Sequence, residues 1–423
     1  MRWFQSATRR RALSPSGAFQ TDPQTGLMTR AEFVALATDA LGRGLRPGMI
    51  VVGVERPAGV VDDRFAAEVA ERCVHEVGDE GLVGRVGDLQ YGVLVTELDD
   101  ASTGLDLAYR LRGAVPAARN CGVASDAVIP ASAGGEALLR AALLALTAAR
   151  EAGDGQIEVC TREHVAADER RQAIRRDLGA AMVEEGLEVN YQPILDLRSG
   201  MVVGFEALVR WTHAEHGPVP AAQFVPLAEE LGLIIKLGHV VLSTATSQVQ
   251  RWSVGNATPL SIHVNISGPE LIAPDFVDRV KDCLRLAHLP ARQLVLEVPA
   301  GVVERHLGMA RGVFTALHEL GVRVAVEDVD AGGVLAAQLS LLQVSILKVD
   351  RSEMESPNDA FALARARGIK VYGKSIEDEA HRRRLLRYGC EIGQGYLFAG
   401  SLPAPEAERY LRGHLNTASA LGR

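Results

Sequence analysis

The feature that most constrains the fold is a long alternation of short apolar runs with segments of helical periodicity, from residue 188 to residue 392. Apolar runs of about four to eight residues, such as 259–264 and 322–327, are typical of strands that are buried on both faces. Longer segments with helical spacing separate these runs, among them 221–236, 238–254, 304–320, 334–340 and 358–367. Because parallel strands need helical crossovers between them, this order over residues 170–415 predicts a parallel barrel or a doubly wound sheet.

A shorter α/β unit precedes this region. Its helical patterns lie at 31–42, 64–77, 104–114 and 134–152, and its strand-like runs lie at 49–54, on both sides of Asp88, at 121–129 and at 156–160. We therefore predict a first domain over 22–160. A tail over 1–21 precedes it, and a charged helix over 161–185 links it to the second domain, 170–415.

Composition excludes several classes of protein. The net charge of −8 gives no excess of positive charge, so we expect no direct binding of nucleic-acid polymers. No apolar run reaches the roughly 18 residues that a membrane span needs, so we expect no membrane insertion. The five cysteines are odd in number and form no C-x-x-C pair, which predicts unpaired thiols in a reducing compartment, the cytoplasm.

Polar residues recur where the predicted strands of the second domain end. In a barrel, the carboxyl ends of the strands meet at one edge, where catalytic and binding residues lie. Carboxylate and amide oxygens at that edge are the ligands that Mg²⁺ or Mn²⁺ prefers, and a lysine there can orient a water. Taken singly, such residues are more often helix caps or solvated loop residues. The set comprises Glu206, Asn265, Glu297, Glu327, Asp328, Lys348, Asp350, Lys374 and Gln394.

Several motifs of the second domain resemble the EAL domain, the cyclic di-GMP phosphodiesterase module, in the family's order. They are YQPI at 191–194, EALVRW at 206–211, FVPLAE at 224–229, VNIS at 264–267, LE at 296–297, LKVDRS at 347–352 and QGYLF at 394–398. The resemblance implies a modified TIM (β/α)8 barrel, often with an antiparallel first strand. It also implies that cyclic di-GMP binds across the carboxyl ends of the strands.

The first domain resembles the GGDEF domain, the diguanylate cyclase module with a ferredoxin-like, adenylyl-cyclase-like fold. The resemblance rests on residues 22–27, on 85–87 and on 148–153. The family's signature falls on residues 87–91, where Asp88 replaces a glycine and Leu89-Gln90 replaces the acidic pair. Aspartate repels phosphate and leucine cannot bind Mg²⁺, so we expect no cyclase activity and a partner-binding or regulatory role.

The EAL resemblance also assigns roles to individual residues. The metal positions fall on Glu206, Asn265, Glu297, Glu327 and Asp328. The water-orienting position falls on Lys348. The ligand-binding positions fall on Gln192, Leu208, Arg210, Asp350 and Gln394. We expect none of the histidines to bind a metal, although His263 lies two residues before Asn265 on the same strand face.

Departures from the family pattern affect the catalytic positions. Lys374 aligns with the family's catalytic glutamate, the paired aspartates become Glu327-Asp328, the following loop is altered at 329–333, and Ala300 replaces a bracing glutamate. An ammonium group cannot bind a cation, so we expect one Mg²⁺ or Mn²⁺ site and the loss of the second. Lys374 either pairs with Glu327 and Asp328 in place of the lost ion or extends into solvent.

Three functions stay open at this point. The chain is a non-catalytic receptor in which a degenerate EAL domain binds cyclic di-GMP and relays this to an unidentified protein partner. Alternatively, it is a weak phosphodiesterase that uses one metal ion, with Lys348 orienting the water. In the third hypothesis it is a protein-interaction scaffold that does not bind the nucleotide. A homodimer is left open in each case.

Overall fold

The computed structural model describes residues 20–57, 62–98, 101–115, 117–130, 132–182, 186–254, 259–328, 338–350 and 364–421. The chain divides into two compact units, one ending at Ala173 and the other beginning at Ile174. Each unit contains hydrophobic clusters of its own. The predicted tail, 1–21, lies outside the described residues except for its last two positions.

The first unit contains a five-stranded sheet. Its strands are β1 (Gly48–Val54), β2 (Leu82–Gly87), β3 (Gln90–Val95), β4 (Ala118–Ser125) and β5 (Ile157–Val159), in the order β2-β3-β1-β4-β5. The first four are antiparallel to their neighbours, and β5 is parallel to β4. The strand predicted over 121–129 ends earlier, because the chain turns into a 3₁₀ helix at Asp126–Val128.

Four helices cover the two faces of this sheet: α1 (Arg30–Gly42), α2 (Asp62–Val77), α3 (Ala101–Ala114) and α4 (Gly135–Ala152). Alternate residues of β1 point to opposite faces, so Ile50 packs with the cluster of α2 and α3 and Met49 packs with that of α1 and α4. The order strand-helix-strand-strand-helix-strand fits the predicted ferredoxin-like fold. The GGDEF-type assignment stays a prediction.

Helix α5 (Arg162–Ala181) occupies most of the segment predicted as a linker helix. Its first part belongs to the first unit and its last part to the second. Ile174 and Leu178 are completely buried against a cluster that includes Trp211 and Phe224. The apolar seam that the sequence shows along this charged helix is therefore the face that packs on the barrel.

The second unit is a closed barrel. Its strands are β6 (Leu187–Asp196), β7 (Val202–His213), β8 (Gly217–Val219), β9 (Ser261–Asn265), β10 (Leu294–Pro299), β11 (Arg323–Glu327), β12 (Ile346–Val349), β13 (Lys370–Gly373) and β14 (Ile392–Gly393). From β7 through β9 to β14 the neighbours in the ring are parallel. The first strand, β6, is antiparallel to both β7 and β14 and closes the ring. The predicted barrel with an antiparallel first strand is confirmed.

The barrel helices are α6 (Ala221–Glu230), α7 (Ile234–Ser253), α8 (Gly268–Leu271), α9 (Phe276–Ala287), α10 (Ala300–Arg305), α11 (Leu307–Glu319), α12 (Glu379–Arg387) and α13 (Ala404–Leu421). The helix predicted over 221–236 ends earlier because Gly232, with φ of 68°, breaks the chain direction. The helix predicted over 304–320 begins earlier and is interrupted at His306. The helices predicted at 334–340 and 358–367 lie mostly outside the described residues.

The barrel interior is layered. Ile194, Val295, Ala325, Ile346 and Tyr372 form one apolar cluster inside the ring. Residues two positions further along the parallel strands point to the same side and place polar groups above this cluster. The five cysteines are buried and unpaired, as predicted. Among the described residues, no helix has the length and apolar character that crossing a membrane requires.

Candidate functional site

Lys348 is the centre of the polar layer at the carboxyl ends of the strands. Its Nζ donates hydrogen bonds to Glu206 Oε2 at 2.8 Å and to Glu297 Oε2 at 2.7 Å. The side chains of Lys348 and Glu297 are 2% and 0% exposed. Buried charges of this kind are stable only when they are paired and hydrogen-bonded. The three side chains can pair because β7, β10 and β12 place them at the same level of the barrel.

Glu206 is fixed by three donors. Besides Lys348, Asn265 Nδ2 donates to its Oε1 at 2.8 Å and Gln394 Nε2 donates to its Oε2 at 2.5 Å. Burial by itself would raise the pKa of Glu206, but the Lys348 ammonium and the amide donors outweigh it and lower this pKa to about 2. Glu206 is therefore an anion at every physiological pH.

The other two carboxylates of this layer hold protons more tightly. Burial, followed by the nearby charge of Glu206, raises the pKa of Glu297 to about 7. Burial also raises the pKa of Glu327 to about 7, although Lys348 opposes the shift. Burial alone would lower the pKa of Lys348, but these three carboxylates raise it above its ordinary value, so the ammonium stays charged.

Lys374 lies beside a second pair of carboxylates. Its Nζ donates to Asp328 and lies 3.6 Å from Glu327 Oε2. The Lys374 side chain is 18% exposed, so it does not extend into solvent. The predicted pairing of Lys374 with Glu327 and Asp328 is confirmed.

The backbone on both sides of this ion pair adopts an unusual conformation. Asp328 and Ser375 have φ values of 57° and 53°, a region that glycine tolerates and other residues adopt at a cost. Ser375 Oγ donates to Asp350 Oδ2 at 2.8 Å and so connects a predicted ligand-binding residue to this strained turn. No role was predicted for Ser375.

Four of the five predicted ligand-binding residues line two neighbouring cavities, whereas Asp350 lines neither. A polar cavity of about 250 Å³ is lined by Gln192, Leu208 and Gln394 together with Glu206, Glu327, Lys348 and Lys374. An apolar cavity of about 350 Å³ lies beside β7, α6 and α7, and Leu208, Arg210 and Asn265 contribute to its wall. Leu208 lines both cavities, so they adjoin at that side chain.

Arg210 is held at the mouth of the apolar cavity. Its Nη1 donates to the Val209 carbonyl at 2.9 Å, and its Nη2 donates to Ser401 Oγ at 2.7 Å. The remaining guanidinium N–H groups keep the fork geometry that matches a phosphate. Gln192 is held in turn by its amide, which donates to the Ala399 carbonyl at 3.1 Å.

The predicted metal ligands are engaged by ammonium and amide groups. Both oxygens of Glu206 accept hydrogen bonds from protein donors, Glu297 Oε2 accepts one from Lys348, and Glu297 Oε1 lies 2.6 Å from His263 Nδ1. Within the described ranges, no three His, Cys, Asp or Glu side chains are grouped as a metal site requires. The donor types suit Mg²⁺ or Mn²⁺, but in this arrangement they fit two ammonium groups rather than a divalent ion. The one-metal assignment stays a prediction.

In the first unit, residues that align with the GGDEF signature lie in a hairpin turn. Asp88 and Leu89 form the turn between β2 and β3. Arg85 donates to Asp22 Oδ1 at 3.2 Å and to Gln24 Oε1 at 2.5 Å, which joins two of the three sequence segments that carry the GGDEF resemblance. The expected absence of cyclase activity stays a prediction.

The closed barrel with an antiparallel first strand and the polar layer at its strand ends defines a TIM-barrel-type domain with its site at that edge. The sequence profile of the EAL domain family matches residues 172–401. The chain therefore belongs to the EAL domain family.

Similar proteins extend this comparison. The phosphodiesterase MucR of Pseudomonas aeruginosa, solved in complex with cyclic di-GMP, is 32% identical, covers 55% of this chain and 99% of that one, and has a TM-score of 0.52. The EAL domain of FimX from Pseudomonas aeruginosa, bound to cyclic di-GMP, aligns with 54% of this chain and 96% of its own, with a TM-score of 0.50. Because it is only 20% identical in sequence, this similarity shows the fold alone. An uncharacterized protein of Azorhizobium caulinodans is 31% identical over 95% of this chain, and the chain spans 57% of its length.

Proposed function

We propose that this chain is a cyclic di-GMP receptor, in which the EAL unit binds the dinucleotide without hydrolysing it and relays the binding to a protein partner. The observation that carries the proposal is the Lys374 ammonium group, which pairs with Asp328 and lies 3.6 Å from Glu327. The degenerate GGDEF-type unit serves this relay as a regulatory or partner-binding domain.

The ion pair at Lys374 opposes hydrolysis. Two-metal phosphodiester cleavage needs carboxylates that hold a pair of cations on the attacking and leaving oxygens. Here the ammonium group occupies the carboxylates that the second ion would need, and an ammonium group does not generate hydroxide. Replacing a carboxylate by Lys374 therefore removes the means of activating water at this position.

Binding of the dinucleotide is still supported by charge and by shape. Lys348 and Lys374 line the polar cavity, and Arg210 lines the neighbouring one. Two phosphates of a cyclic dinucleotide can be held by these fixed cations, because each charge-assisted hydrogen bond is worth about 1.5–3 kcal/mol. The complex of the similar MucR structure with cyclic di-GMP supports the same ligand class.

The test is calorimetric titration of the full chain with cyclic di-GMP, with Mg²⁺ or Mn²⁺ and again with a chelator, followed by chromatography of the same samples. We expect binding that survives the chelator and recovery of intact dinucleotide. Metal-dependent conversion to the linear dinucleotide would establish the one-metal phosphodiesterase instead. If no sample releases or absorbs heat, the chain does not bind the dinucleotide, and the protein-interaction scaffold is the function that remains.

Two variants sharpen this experiment. Arg210→Ala is expected to weaken binding about 10- to 100-fold, because a phosphate then loses a forked donor. Lys374→Gln is expected to weaken binding as well, whereas the same change at Lys281, an exposed residue of α9, is expected to leave it unchanged. Equal affinities of Arg210→Ala and the unaltered chain would contradict the proposed binding mode.

A further inference from the structure

His263 lies directly beneath the polar layer, inside the barrel. It precedes Asn265 by two residues on β9, so both side chains point inward. His263 is completely buried, and its Nδ1 lies 2.6 Å from Glu297 Oε1. Its ring centroid is 5.8 Å from that of Tyr372, which belongs to the apolar layer. The imidazole is thus the only polar neighbour of Glu297 Oε1 among the hydrogen bonds of the described residues.

The surroundings of the imidazole select one protonation state. A charged ring would carry an N–H on both nitrogens, and each N–H would need a buried acceptor. The Nε2 atom of His263 is buried and has no hydrogen-bond partner in the part of the chain that the structure describes. A buried N–H without an acceptor is rarer than an unused acceptor, so the proton lies on Nδ1 and the lone pair on Nε2.

With that proton on Nδ1, both oxygens of Glu297 are engaged. Oε1 accepts from His263, and Oε2 accepts from Lys348 at 2.7 Å. The carboxylate is then held at both ends and cannot rotate away from the ammonium group. Without the imidazole donor, Oε1 is a buried carboxylate oxygen with no partner, which is costly unless the group takes up a proton or turns.

We propose that His263 is a positioning residue of the nucleotide site: it donates from Nδ1 to Glu297 and, through Glu297, holds the Lys348 ammonium between the two buried glutamates where it faces the ligand. This inference rests on the proposed nucleotide binding for its consequence, but the hydrogen-bond relay itself exists independently of the ligand. Groups that fix a site residue in this way typically change affinity by about 10- to 100-fold when they are removed.

The test compares His263→Leu, which fills similar space without a donor, with His263→Asn, whose side-chain N–H can replace Nδ1. Nitrogen NMR of chain labelled in histidine and lysine reports the tautomer of His263 and the slowly exchanging ammonium of Lys348. In the unaltered chain we expect a neutral ring with its proton on Nδ1. The Lys348 ammonium signal is expected to be lost in His263→Leu and retained in His263→Asn. Calorimetry is expected to show affinity for cyclic di-GMP about tenfold lower in His263→Leu and near the original in His263→Asn.

Each outcome decides a separate point. An Nε2-protonated ring, or an unchanged Lys348 signal in His263→Leu, would overturn the positioning role. If both variants lose the same affinity and their thermal unfolding curves shift equally, His263 acts only in packing, and the positioning role is overturned too. If the unaltered chain binds no cyclic di-GMP while the NMR results are as expected, the proposed function fails and the relay from His263 to Lys348 stands.

Discussion

Removing the Lys348 charge is the strongest perturbation that the barrel offers. Lys348→Met keeps a side chain of similar length but leaves Glu206 and Glu297 buried without their shared cation. Breaking a buried ion pair by removing one partner typically costs about 3–5 kcal/mol, because the remaining charge is uncompensated. In a unit of this size, each kcal/mol lost from the free energy of unfolding lowers Tm by about 2–4 °C, so we expect a fall of roughly 6–20 °C in Tm.

The assay is thermal and urea unfolding followed by tryptophan fluorescence. Trp211 and Trp252 are both buried in the second unit, so their emission reports the unfolding of the barrel. Lys281→Met, at an exposed position of α9, is the matched control and is expected to change stability by less than about 0.5 kcal/mol. The double variant Lys348→Met, Glu206→Gln is expected to recover a large part of the loss, because the charge of Glu206, the carboxylate with the lowered pKa, is removed with the cation.

The dependence on pH gives a second check of the same reasoning. The Lys348 ammonium contributes to lowering the pKa of Glu206 from 4.5 to about 2, so the stability from this pair is present above pH 4.5 and is lost as pH falls through 2. The difference between Lys348→Met and the unaltered chain should therefore be largest near neutral pH and shrink in acid. A single variant as stable as the unaltered chain, or a double variant less stable than the single one, would refute the argument that these are uncompensated buried charges.

Two further predictions concern the barrel backbone. His288 ends α9 with φ of 53°, so His288→Gly is expected to raise the free energy of unfolding by about 1 kcal/mol, and a lower urea midpoint would contradict this. In Gly238→Ala the added methyl carbon would clash with the Glu270 carboxylate, which is buried and held by Ser267, so we expect a loss of about 1–3 kcal/mol in the same unfolding assay. The matched change Gly312→Ala, where nothing lies within 4 Å, is expected to gain about 0.5–1 kcal/mol, and equal effects of the two changes would contradict the steric argument.

The order of strands and helices in the barrel could be predicted because its strands are buried on both faces and read as continuous apolar runs. The runs at 259–264 and 322–327 correspond to β9 and β11 within a few residues. Helix boundaries could not be predicted as well. The conformation of Gly232 and the interruption at His306 depend on tertiary packing, which periodicity along the chain does not contain.

The residues of the candidate site could be predicted from the sequence, but the hydrogen bonds between them could not. The spacing of residues along each strand places Glu206, Glu297 and Lys348 at one edge of the barrel, and the structure brings them into hydrogen-bond contact. The sequence also shows that His263 shares a face with Asn265. It does not show which neighbour His263 meets, because that depends on the stagger between β9 and β10. The positive φ of Ser375 was likewise invisible, because serine gives no signal for that conformation.

The antiparallel direction of β6 has a practical consequence. In a barrel whose strands are all parallel, the chain enters the first strand at the edge opposite the site. Here Leu187 at the start of β6 pairs with Trp211 near the end of β7, beyond Glu206 and Leu208, so the polypeptide enters the barrel on the ligand side. A fluorophore attached at Gly186 would lie at the same edge of the barrel as the candidate site, and its emission could serve as an optical sensor of occupancy.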